Sequence, residues 1–93
     1  MDICRTSVGF EAFIDGKSAG YIVLDFDDDD FGDDVVALPS TFTVPEFRGR
    51  GVGSALVKAA VDFAESEGLA IDPVCPFVAS WLDKHPERTV RVV

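Results

Sequence analysis

The sequence predicts an α/β protein of the α+β kind. It is expected to form a compact, mostly antiparallel twisted sheet of four to five strands with two main helices, in the order β-β-β-β-α-β-α. Three observations predict it. Short runs rich in β-branched and aromatic residues fill the first half of the chain, separated by Gly, Pro and Asp. One long stretch, residues 51–67, repeats apolar residues at steps of three and four. A short apolar run and a second, shorter helical pattern follow it. With 93 residues, 47% of them apolar and eight of them Phe, the chain can fill one core. Residues 1–93 are therefore expected to be a single domain.

Residues 8–14, Val-Gly-Phe-Glu-Ala-Phe-Ile, alternate as a strand with one apolar face. Asp15-Gly16 suits a tight two-residue hairpin turn. Residues 19–26 then make a second strand. Residues 27–32 read as a polar turn ending in Gly32. Residues 34–38 are a third strand, broken by Pro39-Ser40, and residues 41–44 a short fourth. Pro45 stops it, because it has no amide donor. These four pair most simply as an antiparallel meander. In the helix that follows, Val52, Leu56, Ala59, Ala60, Phe63 and Ala64 share one face, and Lys58, Asp62 and Glu65 the opposite one. Gly68 is placed to end it. Residues 69–74 form a fifth strand, parallel to the fourth through a right-handed crossover. Residues 77–85 are the second helix, which Pro86 closes, and residues 89–93 are an expected edge strand.

The net charge of −9, from 17 acidic and 8 basic residues, argues against a nucleic-acid partner. No stretch approaches the roughly 20 apolar residues of a membrane span, so no membrane partner is expected. Met1-Asp2-Ile3-Cys4-Arg5 has no basic region leading into an apolar run, and a cytoplasmic location is the expectation. Cys4 and Cys75 form no C-x-x-C pair, and the single His leaves no zinc set, so two free thiols and no metal are expected. Cys4 sits in a terminus expected to fray.

The sharpest motif is Arg48-Gly49-Arg50-Gly51-Val52-Gly53-Ser54, lying between a strand and a helix. The first turn of a helix carries unpaired N–H groups and a partial positive charge. Glycines let an anion approach the backbone, and the two arginines add charge. The spacing is neither a Walker loop nor G-x-G-x-x-G. Read from the residues alone, the loop is either a phosphate site or a Gly-rich helix start with solvated arginines.

Arg48-x-x-Gly51-x-Gly53 resembles the R/Q-x-x-G-x-G/A motif of the GNAT superfamily of acyl-CoA N-acyltransferases. Residues 42–56 look like that family's strand-four, pyrophosphate-loop and helix segment. Val74-Cys75-Pro76-Phe77, followed by His85-Pro86-Glu87, resembles its minimal, short single-domain subgroup. The resemblance implies N-acetyl transfer from acetyl-coenzyme A to an amine, small-molecule or protein, that the sequence does not identify. It implies that backbone amides of Arg48, Gly49, Arg50, Gly51, Val52, Gly53 and Ser54 bind the coenzyme A pyrophosphate. It also implies that backbone groups of Phe42 and Val44 hold the pantetheine arm and the acetyl carbonyl.

Many members of that family are thought to protonate the leaving thiolate with a Tyr on the last helix. Trp81 stands there instead, and an indole N–H is no general acid. Cys75 is the substitute. It stands after a strand and before a helix, where the dipole lowers a thiol pKa. It could carry the acetyl group or protonate the departing coenzyme; the plain alternative is a buried, inert Cys. His85, before Pro86, is expected to cap a helix end. Tyr21 is expected to pack, and Phe77 and Trp81 to share one helical face in the core or at a dimer contact.

Residues 18–47 hold eight acids and no Lys or Arg. The run after Asp25 fails the EF-hand template and reads as a solubilising or salt-adapted turn, with steering of a cationic amine as the second reading. Two alternatives to an enzyme stand beside it: a non-catalytic acyl-CoA-binding or sensing module, and an interaction domain with an anion-tolerant loop. A small core with an exposed sheet edge is compatible with a homodimer.

Overall fold

Asp15 and Gly16 both hold positive φ, 51° and 78°. That pair of conformations gives the two-residue turn whose twist matches its flanking strands. The turn joins β2 (Gly9–Ile14) to β3 (Lys17–Val23). In this computed structural model, which describes residues 1–26 and 34–93, the hairpin is the centre of a four-stranded antiparallel sheet. The acidic run at residues 27–33 lies outside the described residues.

β1 (Asp2–Arg5) pairs along the far side of β2. The N-terminus is thus tied down rather than frayed, and Cys4 stands opposite Glu11. Four residues are too few to show alternation, which hid this strand in the sequence. On the other side of β3 lies β5 (Thr41–Thr43), not the third strand. The third strand, β4 (Val35–Ala37), is joined to the segment after the hairpin by Asp25, which exchanges two backbone hydrogen bonds with Ala37. It pairs instead with β6 (Ala70–Asp72), in parallel.

The expected meander is therefore corrected. Pro39 has no N–H to continue the ladder, so the chain leaves at Leu38 and rejoins β3 where Val23 N–H reaches Ser40 O at 3.0 Å. The crossover strand lies beside the third strand, not the fourth. Its parallel pairing runs on as far as Leu38 N–H to Asp72 O and Cys75 N–H to Leu38 O, both 3.0 Å. Beyond Leu38 the two segments part, leaving the outer edge of β5 without a strand partner among the described residues.

The long helix α1 (Val52–Glu67) makes the crossover. It buries Val52, Leu56, Val57, Ala60, Val61 and Ala64 against Ala12, Ala19, Ile22 and Leu24 of the sheet. Gly68 ends it in a left-handed conformation, with its N–H bonded to Ala64 O and Glu65 O. The second helix, α2 (Pro76–Asp83), buries Val78 and Trp81. The tail returns beside β6: Ile71 N–H bonds Arg91 O, and Val93 N–H bonds Ile71 O. Arg88 anchors it to the polar face of α1 through Asp62 and Glu65. No described helix is long and apolar enough to cross a membrane.

Candidate acyl-transfer site

Two helices begin at the same side of the sheet, and β5 lies between their starts. A short helical turn, Pro45–Phe47, leads from β5 to α1 and buries Phe47 as its anchor. Gly49 and Gly51 then take φ of 85° and 77°. A Cβ at either position would meet its own carbonyl, so both favour glycine. No side chain caps α1. The N–H groups of its first turn, which have no partner within the helix, are left to whatever fills the space before them.

That space is a cleft of about 310 Å³. Of the sequence-predicted residues, Arg48, Gly49, Gly51, Val52, Gly53 and Ser54 line it. Arg50 does not: its guanidinium lies over the Phe47 ring, 5.6 Å from the centroid. Thr43, which the sequence reading did not single out, and Phe77, expected in the core or at a dimer contact, complete the lining. Phe77 covers Gly53 so closely that a Cβ there would stand 2.9 Å from the ring. Gly53 is favoured by that approach, since a Cβ would displace the ring, and not by its own torsion.

The backbone of β5 corrects another expectation. Val44 N–H bonds Ala19 O, and Val23 N–H bonds Ser40 O. Paired residues of an antiparallel ladder alternate between bonded and non-bonded pairs. Residue 42 therefore points its backbone groups at β3, as do Ser40 C=O and Val44 N–H, while Val44 C=O accepts from Phe47 N–H at 2.9 Å. The groups of Phe42 and Val44 are thus spent within the fold; those of Thr41 and Thr43 point away from β3. The Phe42 ring lies on the sheet face away from α1, tilted against Tyr21 at 5.4 Å. Tyr21 packs there while staying half exposed.

Cys75 is the last residue before α2, partly buried. Burial pushes its thiol up, but donors around the sulfur outweigh it. These are the backbone N–H groups of Val78 and Phe77 in the first turn of α2, then the hydroxyl and N–H of Thr41. The net result is a thiol held below its ordinary value of 9.0. Thr41 and Thr43 stand on one face of β5, about 7 Å apart along the strand, Thr41 toward Cys75 and Thr43 toward Gly53.

The structure does not bring His85 to the thiol. Its Nδ1 is 2.7 Å from Trp81 O, and its ring stacks on the indole at 3.8 Å, an end cap as the sequence predicts. Trp81 is buried while Phe77 is exposed, so the two do not share an environment. Among the described residues, no group of three His, Cys, Asp or Glu side chains could hold a metal ion.

A family model described as GCN5-related N-acetyltransferase matches residues 9–91. An uncharacterized N-acetyltransferase of Methanocaldococcus jannaschii is 31% identical over 64 residues, 67% of this chain and 28% of that protein. The ribosomal-protein-S18-alanine N-acetyltransferase of Escherichia coli shares the fold at a TM-score of 0.62, with 19% identity. That match covers 81% of this chain and 48% of the other. The aminoglycoside N-acetyltransferase AAC(6′)-Iy, solved in complex with CoA, is similar at a TM-score of 0.55 and 28% identity, covering 88% of this chain and 66% of that one. The chain thus spans about a quarter of the curated relative and about half of the Escherichia coli enzyme.

Proposed function

The chain belongs to the GCN5-related N-acetyltransferase family, and from that premise we propose that residues 1–93 act as one domain that moves an acetyl group from acetyl-coenzyme A to an amine, with Cys75 carrying it in between. The observation that carries this reading is the place of Cys75, partly buried at the start of α2, with its N–H bonded to Leu38 O where β4 and β5 part; there, against the effect of burial, the thiol's pKa is lowered by the amides of Val78 and Phe77. They favour a thiolate, the nucleophilic form, at a helix start beside an open strand edge.

In this reading the bare first turn of α1 and Arg48 hold the pyrophosphate. The outward N–H and C=O groups of Thr43 and the C=O of Thr41 hold the pantetheine arm as a further strand would be held. The Cys75 thiolate attacks the thioester carbonyl carbon, the bond from that carbon to the coenzyme A sulfur breaks, and the coenzyme leaves as a thiolate that takes a proton from water. A neutral amine then attacks the S-acetyl carbon. The Cys75 thiolate departs, and the extra proton on nitrogen passes to water. No Tyr is needed at the position of Trp81, because the leaving thiolate need not be protonated before the carbon–sulfur bond breaks.

Intact-protein mass spectrometry after incubation with acetyl-coenzyme A tests this. One acetyl group should appear on wild type and on Cys4→Ser, be absent from Cys75→Ala, and be discharged by added amine. Turnover that depends on Cys75 with no adduct would replace the carrier role with proton donation. Binding of coenzyme A with no thiol release for any amine would make the chain a sensing module.

A further inference from the structure

We propose that the sheet face turned away from α1 carries a cation site, formed by Glu11 and Tyr21 with Thr6 and Val8, that takes an alkylammonium group and anchors an acceptor bearing a second amine. The cation site stands on its own geometry. Its meaning as an acceptor anchor deepens the reading above and rests on acyl transfer at β5.

The register sets out a row. Cys4 stands opposite Glu11, Glu11 opposite Tyr21, and Tyr21 opposite Phe42. Directly opposed residues share a face, so one line of side chains crosses the sheet from β1 to β5. Tyr21 and Phe42 stay 41% and 42% exposed on that face, although their rings lie 5.4 Å apart. A cavity of about 250 Å³ opens beside Tyr21, lined by Thr6, Val8, Glu11 and Tyr21. Its rim is held in shape: Thr6 Oγ1 accepts from Val8 N–H at 3.3 Å and from Gly9 N–H at 3.0 Å. A rim already ordered loses little freedom when a ligand arrives.

Charge selects the occupant. Glu11 is half-buried, and its carboxylate accepts from the Ser18 hydroxyl at 2.6 Å. That donor is neutral, and among the described residues no cation forms an ion pair with Glu11. The basic residues of the four strands are turned away. The Arg5 guanidinium lies over the Phe63 ring of α1, 4.9 Å from its centroid. Lys17 stands opposite Ile14, which packs on the core. A carboxylate beside an exposed aromatic face attracts a cation twice, by its charge and by the ring quadrupole. Val8 and the Tyr21 ring offer apolar surface to the stem. The cavity is smaller than the roughly 300–1,000 Å³ of drug-sized pockets, which fits one ammonium head and a short stretch of chain.

Distance selects the second amine. Glu11 is on β2, and the proposed reading holds the thioester at the free edge of β5. Two strand spacings, about 10 Å, separate them. The anchored nitrogen is therefore not the one that attacks. The acceptor is an extended aliphatic diamine, whose stem crosses Tyr21 and Phe42 to bring the second nitrogen to the edge.

The test reads binding without acetyl-coenzyme A. 1,8-Diaminooctane and its uncharged counterpart 1,8-octanediol are titrated at equal ionic strength while backbone amide NMR signals are followed. The diamine should shift the signals of Thr6, Val8, Glu11 and Tyr21, and the diol should not. Glu11→Gln and Tyr21→Ala should each weaken the diamine about fivefold, the scale of one exposed ion pair or cation–π contact. Tyr21→Phe, which keeps the ring, should bind it as wild type does. Tyr21→Leu takes the place of Tyr21→Ala if that variant unfolds. Equal shifts from the diol, shifts confined to the acidic run after Asp25, or an affinity unchanged in Glu11→Gln overturn the proposal. A protein that binds the diamine as expected but transfers acetyl to no amine overturns the reading of Cys75 and leaves the cation site standing. One that acetylates amines without these shifts overturns the cation site alone.

Discussion

The two helix starts use the same leftover backbone N–H groups in opposite ways. At α1 the glycines hold the chain open, no side chain caps the end, and a cleft of about 310 Å³ stands before it. At α2 the N-cap residue is Cys75, whose side chain makes no cap hydrogen bond either, but whose thiol stands at the helix start, where, against the effect of burial, the amides of Val78 and Phe77 lower its pKa. In the proposed reading the first end receives an anion that arrives, and the second carries a thiol whose ionisation its surroundings favour. The difference follows from side chains. Gly51 offers no side chain at its helix end, whereas Cys75 places a thiol there.

The comparison breaks most visibly at Cys75. Cys75→Ala should lower the acetyl-transfer kcat by at least about 100-fold, the scale of losing a reacting group. The Kd for coenzyme A should change less than twofold, because the cleft before α1 is intact. A loss of affinity matching the loss of turnover would mean that the two helix starts form one binding surface rather than two stations.

The reciprocal variant is Gly53→Ala. The new Cβ would stand 2.9 Å from the Phe77 ring, which must swing into the cleft. Coenzyme A should bind about tenfold more weakly, about 1.4 kcal/mol. Cys75 alkylation at saturating pH should be unchanged. Calorimetry and thiol alkylation on the same preparation check both halves. A large change in thiol reactivity with affinity preserved would reverse the assignments.

Much of this was legible in the sequence, for local reasons. The apolar spacing of α1, the Asp15-Gly16 turn, the Gly68 stop and the His85 cap are set by residues within a few positions of one another. Pairing was not legible. β4 and β5 are three residues each, and nothing local says that Pro39 parts them toward different partners. The site inherited that gap. Which residues of β5 face the free edge depends on the bond from Val44 N–H to Ala19 O, a contact between distant positions. A one-residue slip exchanges the two sets, and the expectation for Phe42 and Val44, against the observed Thr41 and Thr43, is such a slip. The place of Phe77 over Gly53 was hidden similarly: it depends on a contact across the fold.

The smallest expected effect lies farthest from either helix start. Arg88 bonds Asp62 and, at 2.6 Å, Glu65, while the Thr89 N–H bonds the other Glu65 oxygen at 3.0 Å. Lys58 adds a bond to Asp62 at 3.0 Å. Burial pushes both carboxyls up, but hydrogen bonds from Arg88, with Lys58 at Asp62 and Thr89 at Glu65, hold both below their ordinary values of 3.8 and 4.5. The sign follows from that depression. Each carboxylate contributes stability that is fully present above its ordinary value and is lost as pH falls through its lowered folded value. The tail clamp should therefore hold at neutral pH and release only at acid pH below those ordinary values. Asp62 is half exposed, which limits the energy, and Arg88→Ala should cost about 1 kcal/mol at pH 7 and progressively less as the acids protonate. Denaturant melts of wild type and Arg88→Ala at pH 7 and pH 3 measure the convergence. A difference that stays constant with pH would assign the loss to packing of the Arg88 stem. A change in Cys75 alkylation or coenzyme A affinity would show that the tail supports the sheet edge on which both helix starts depend.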